Sequence, residues 1–344
     1  MKRLILLAAL LGLASCTENL LLQNDSDVTL TVGIKPSAAS TKATLAGTTD
    51  ENKINGIQVF VFKVNGGTYV FEAAAKASAS SVDITVTTGD KDVIMLVNEP
   101  ADYTGVTDRA TLLGKVSSLA NNAPASLVMA GELETTVSTT DHVLDIPVDR
   151  MASRIKVSKI TNRLRNGNAD KNVKIARVFL TGAVASCTFS GTQAGFYATS
   201  GVNSELDLGG TAVNSAAEKA AVNSLIYKSI NSDVLSDGTS YSTPVSLYAY
   251  PNDNSVKATH LVVEMEIDGQ YFTYPVPMPQ MAGNCTCEVT ELVISSIGNV
   301  SNGDDILDPG EDEPITFQEA SFNITVKPWT VVPVSNGDDG KYTI

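Results

Sequence analysis

Few residues in this chain have the type and spacing to do chemistry. There are two histidines, His142 in "TTDHV" and His260 in "ATHLV", and both open strand-like runs, where a surface or edge imidazole is the ordinary outcome. Cys285 and Cys287 are two residues apart and share a face if their segment is extended. With Cys187 they read as buried or half-buried thiols, because two histidines do not complete a zinc site. The acidic run "NGDDILDPGEDEP", Asn302 to Pro314, offers Asp304, Asp305, Asp308 and Glu311 as calcium ligands, but it departs from EF-hand spacing and reads more simply as a solvated loop. G-x-S-x-G, H-E-x-x-H, Walker and G-x-G-x-x-G motifs are all missing from the sequence. The expectation is a non-enzyme with no catalytic residue, no metal and no cofactor.

Chemistry is instead written at the N-terminus. Lys2-Arg3 precede the apolar run Leu4 to Leu13, and Leu13-Ala14-Ser15-Cys16 follows. That pattern is a signal peptide over residues 1–15, too short for a stable membrane span. A cysteine at the cut has the form of the bacterial lipoprotein box, so Cys16 is the expected site of fatty acyl (palmitate-type) modification and becomes the new N-terminus. Acyl chains contribute about 0.8 kcal/mol per buried methylene, enough together to hold a precursor on a membrane. A second candidate site lies in "KPSAASTKATL", where Lys35 and Lys42 sit among small polar residues that suit an extended protease substrate. Cleavage between Lys42 and Ala43 is expected, with Lys35 the less favoured alternative.

These sites must be positioned by strands. At 344 residues the chain is long enough for two domains, and with 24 basic against 38 acidic residues its formal charge of −14 argues against nucleic acid as a partner. Runs such as "GIQVFVFKV" (Gly56 to Val64), "SVDITVTTG" (Ser81 to Gly89), "DVIMLVN" (Asp92 to Asn98) and "NVKIARVFLTG" (Asn172 to Gly182) alternate or are β-branched, separated by turn residues. The spacing predicts an all-β, minor-α chain of antiparallel sandwiches. Asp268-Gly269 between two alternating runs predicts a hairpin. Helices are predicted over Asp108 to Ala120, capped by Thr107 or Asp108, and over Asn214 to Ile226. The stretch "EAAAKASASS" reads as low complexity. A new alternating series at "RMASRIKVSKI" sets the expected boundary: a propeptide over 16–42, a first sandwich over 43–149, and a second over 150–344 whose tail occupies about 320–344.

The two ends share a pattern. Val28, Leu30, Val32 and Ile34 alternate with Thr29, Thr31 and Gly33, so the first strand has one apolar face. If cutting after Lys42 removes it, the groove it leaves exposes unpaired backbone and apolar side chains. The tail offers a replacement through Phe322, Ile324 and Val326, continuing beyond Pro328 with Trp329, Val331 and Val334. Insertion of one copy's tail into the next copy's groove is strand addition, and a head-to-tail contact propagates into a fibre. The alternative is that both segments are ordinary strands of their own domains.

The sequence resembles the FimA/Mfa-type fimbrillins, the type V pilus subunits of Bacteroidales. The resemblance rests on "LASC", on "KATL" before "ENKINGIQVFVF", on "VDRMASRIKV" and "LYAYPN", and on "HLVVEMEIDGQYFTYPVPMP" and "VKPW" in that order. It implies two transthyretin-like β-sandwich domains and export as a lipoprotein anchored to the outer membrane. It also implies trypsin-like cleavage after a basic residue, and polymerisation with other copies and related pilin subunits into an adhesive cell-surface fimbria. The family protease is arginine-specific, whereas both candidate positions here are lysine. Possession of both a cleavable segment and a tail implies a stalk subunit rather than a tip or anchor. The runner-up is a monomeric anchored adhesin, and on either reading a host protein or glycan is a further ligand class.

Overall fold

A computed structural model describes residues 26–34, 48, 50–141, 143–164, 168–196, 222, 224–235, 237–301, 303 and 320–328. Most strands of the first half form two sheets. One has the order β4 (Ser81–Thr87), β1 (Asp27–Ile34), β8 (Val143–Ile146). The other has the order β3 (Thr68–Ala77), β2 (Ile57–Asn65), β5 (Gly89–Val97), β7 (Met129–Val137), β9 (Asp149–Arg150). Their facing side chains form one apolar cluster that includes Val28, Leu30, Val32, Val59, Val61, Val93 and Met95. The alternation of these strands is what a two-sheet core requires.

In β2 and β5 both faces are apolar, and the structure shows why. Phe60, Phe62, Ile94 and Leu96 point away from the first sheet and join a second cluster with Leu112, Leu119, Leu127 and Val128. A sheet covered on both faces loses the polar half of its alternation. Part of this cover comes from α1 (Arg109–Leu113), whose amide at Thr111 donates to Asp108 Oδ1 at 2.7 Å. The helix expected over Asp108 to Ala120 is therefore much shorter. Gly114 ends it, and Val116–Ser118 turns extended as β6 before a 3-10 turn at Leu119–Asn121.

Two larger sheets follow. β10 (Ser153–Val157) and β11 (Ile160–Asn162) run along one edge of β20 (Cys285–Ile294), flanked by β17 (Val245–Ala249) and β16 (Ser240–Tyr241). The other edge of β20 carries β22 (Ala320–Pro328), antiparallel from Cys285↔Pro328 to Ile294↔Ala320. Stacked with these is the order β15 (Tyr227–Asp233), β12 (Val173–Thr181), β18 (His260–Ile267), β19 (Gln270–Pro277), β21 (Asn299–Ser301). The β18–β19 turn is Asp268-Gly269, with φ of 51° and 82°, the doubly left-handed geometry that the dipeptide favours. A small sheet of β14 (Gln193–Phe196), β13 (Val184–Thr188) and β6 ties the first half to the second.

The all-β expectation holds, with two refinements. β1–β8, β10–β20 and β11–β20 are parallel pairs within otherwise antiparallel sheets. The alanine-rich stretch read as low complexity is the body of β3, half-buried against β2. Of the second predicted helix, only residues 222 and 224–226 fall among the described residues, and they are helical.

Candidate functional site

β1 is a middle strand. It pairs antiparallel with β4 from Asp27↔Thr87 to Gly33↔Ser81, and parallel with β8 from Thr31↔Val143 to Ile34↔Ile146. Its inward residues Val28, Leu30 and Val32 are 6%, 1% and 0% exposed, and Ile34 is half-buried at the end of the same face. The outward face is polar: Thr29 and Thr85 pair through their hydroxyls at 3.3 Å, and Thr31 Oγ1 donates to Asp83 Oδ1 at 2.7 Å. The strand is held by two backbone ladders and an apolar stripe, and no salt bridge among the described residues involves it.

At Thr48 the means of attachment changes. Glu51 N donates to Thr48 Oγ1 at 3.2 Å, while Thr48 N donates back to the Glu51 carboxylate, a reciprocal cap. The same carboxylate accepts Arg154 Nη1 at 2.9 and 3.0 Å and the Tyr248 hydroxyl at 2.7 Å. Arg150 Nε donates to Glu51 O at 3.1 Å, and its guanidinium also reaches Asn52 and Asn284. Arg154 Nε donates to Thr286 Oγ1 at 3.2 Å. Glu51, Arg150, Arg154 and Tyr248 are all buried. Burial pushes the Glu51 pKa up, but the Arg154 charge, the Thr48 amide and the Tyr248 hydroxyl outweigh it and leave the group below its ordinary value. Burial brings Arg150 down to about 10, and it pushes Tyr248 up.

Among the residues singled out from sequence, Val28, Leu30, Val32 and Ile34 are brought together in the β1 seat. Phe322, Ile324 and Val326 lie on β22, paired to β20 of their own chain. Cys16, Lys35, Lys42, Ala43, Trp329, Val331, Val334, His142 and the acidic residues Asp304 to Glu311 lie outside the described residues. Cys187, Cys285 and Cys287 are free and buried, and burial pushes the Cys187 thiol up to about 11. Glu51, Arg150, Arg154 and Tyr248 were not singled out. Their signal was present, because "ENKING", "VDRMASRIKV" and "LYAYPN" each place a charged or hydroxyl-bearing residue inside or beside an apolar run.

A chain of stacked sheets whose first described strand is threaded between β4 and β8 defines the class: an all-β, two-sandwich protein. A candidate cell adhesion protein from Bacteroides eggerthii superposes with a TM-score of 0.65 at 16% identity, covering 88% of this chain and 96% of that one. One from Parabacteroides distasonis gives 0.59 at 17%, covering 90% and 98%. The fimbrilin FimA of Porphyromonas gingivalis W83 gives 0.53 at 13%, also covering 90% and 98%. At such identities the likeness is one of fold. By sequence, the family model described as "Major fimbrial subunit protein (FimA)" matches residues 26–177. A search of curated protein sequences gave no match. The resemblance to the FimA-type fimbrillins is thus borne out, by sequence over residues 26–177 and by fold over most of the chain. The family match over residues 26–177 is what supports a fimbrial-subunit role, and with it a place at the cell surface among other fimbrial subunits.

Proposed function

We propose that the protein is a stalk-type fimbrial subunit made as a lipoprotein precursor. It is acylated at Cys16, cut between Lys42 and Ala43 by a trypsin-like protease, and polymerised head-to-tail by strand exchange. On this reading the propeptide is residues 16–42, the two sandwiches are 43–149 and 150–344, and the outer membrane holds only the precursor. The observation that carries the reading is the seat of β1: a middle strand, buried on one face, whose covalent link to the rest of the fold runs through the segment bearing Lys35 and Lys42.

The same comparison supplies a driving force. Among the described residues β22 pairs along one neighbour, β20, whereas the seat of β1 has a neighbour on each side. Paired buried backbone groups are favoured over unpaired ones, so a tail that moves from its own edge into the next copy's seat gains a second ladder. Trp329, Val331 and Val334 would extend the donor beyond it.

Limited trypsin digestion of the purified precursor tests the reading. The expected result is a new N-terminus at Ala43 followed by a ladder of oligomers. Cleavage confined to the sandwiches, or a surface form that retains Cys16 and stays monomeric, overturns it in favour of an anchored adhesin.

A further inference from the structure

β1 and β22 share an alternating apolar pattern and an identical Thr-Val pair. Residues 27–34 read D-V-T-L-T-V-G-I and residues 321–328 read S-F-N-I-T-V-K-P, so "TLTV" at 29–32 aligns with "NITV" at 323–326. We propose that the donor strand enters the neighbouring copy's seat in that one register. Phe322 takes the place of Val28, Ile324 of Leu30, Val326 of Val32, and Lys327 that of Gly33, beside Asp145. The proposal rests on the strand-exchange reading and adds to it the alignment of the two copies and the residues that set it.

Three features of the seat select this register. The first is volume. The innermost positions, Leu30 and Val32 at 1% and 0% exposure, receive an isomer and an identical residue, while the bulky Phe322 falls at Val28, which is less enclosed than either at 6%. Moving the donor two residues toward the C-terminal end of the seat would place Phe322 at Leu30 and Ile324 at Val32, overpacking the enclosed positions. Shifts by an odd number would turn the apolar face to solvent.

The second is proline. In the proposed register Pro328 falls at Ile34, which pairs with β8 but lies beyond the last β4 pair, Gly33↔Ser81. Moving the donor two residues the other way would put Pro328 at Val32, which is flanked by Val82 and Leu144, where a residue without an N–H breaks a ladder in the middle of a sheet.

The third is charge. The outward face around the seat bears Asp83 on β4 and Asp145 on β8, while β1 itself brings no cation. A Cβ at Gly33 would stand 3.6 Å from Asp145 Oδ1 and 3.5 Å from the Ser81 Cβ, ordinary contact that needs no displacement. A lysine at that position therefore brings its chain alongside an exposed carboxylate. Thr325 falls at Thr31 and retains a hydroxyl for Asp83. Only this register gives Lys327 that neighbour.

Cross-linking reads the register directly. In trypsin-treated protein, Asp83→Cys combined with Thr325→Cys should give an oxidised, reducible ladder of oligomers, because residue 325 then faces residue 83. Ser81→Cys with Thr325→Cys should not. A ladder from the Ser81 pair instead overturns the register and leaves strand exchange standing. The absence of polymer from the trypsin-treated native chain overturns exchange itself. As an independent readout, Lys327→Asp should slow polymerisation by about five-fold, the upper range for an exposed ion pair. Asp145→Lys in the same chain should restore it, and failure of that rescue removes Asp145 from the proposal.

Discussion

β1 and the Thr48–Asn52 segment lie on either side of residues 35–47, yet they are attached by different physics. β1 is seated by backbone ladders and three inward aliphatic side chains, a non-directional attachment that any strand of similar pattern can reproduce. Thr48–Asn52 is fixed by a buried carboxylate shared between Arg154 and Tyr248, with Arg150 on its backbone. A buried charge is tolerated only by the partner shaped for it, because removing one member strands the other. The first region is suited to replacement and the second to permanence. Cleavage between them would release the replaceable element and leave the new terminus anchored.

The largest test of this contrast is at the anchor. Glu51→Ala leaves the buried Arg154 guanidinium without its carboxylate and should cost about 3–5 kcal/mol in urea denaturation, equally in the precursor and in the trypsin-cut form. The anchor also predicts a pH dependence. Glu51 has a folded pKa below its ordinary 4.5, so its contribution is complete above that value and is lost as pH falls through the folded pKa. Stability of the precursor should therefore decline on acidification below about 4.5, and Glu51→Gln should flatten that decline. If the two profiles coincide, the anchor is not electrostatic.

At the seat, Leu30→Ala should cost about 2–5 kcal/mol in the precursor, the range for a fully buried leucine. It should have no effect on oligomers from which β1 has departed; an equal loss in both would mean that β1 stays. The smallest effect belongs to the outward face, where Thr29→Ala should change stability by no more than about 0.5 kcal/mol.

How much of this was legible in the sequence follows from the range of each interaction. β1, the Asp268-Gly269 hairpin and the strands β2, β4, β5 and β12 are written in local alternation and turn residues, and they form where that pattern places them. The parallel pairing of β1 with β8 is not local, since nothing near Thr31 specifies Val143 as its neighbour. The predicted helix from Asp108 failed after five residues because Gly114 and the run "KVSS" favour an extended path that pairs with β13. β3 escaped notice because four of its ten residues are alanine, which has weak strand preference, and β2 supplies the pairing that alanine does not demand. Arg150 and Arg154 sit inside an apolar run, where a positive charge implies a buried partner without naming it. Glu51, about 100 residues earlier, becomes that partner only in three dimensions.

The β1–β8 pairing also bears on the order in which the first sandwich is assembled. Its two strands are separated by about 110 residues, so the contact must wait until the intervening strands have been synthesised and collapsed. The seat is complete only once Val143–Ile146 is in place beside β4 and β1. This early strand is therefore among the last of the first sandwich to be locked, and until then its unpaired backbone edge stays aggregation-prone, an edge that a chaperone or a nearby membrane surface would have reason to shield.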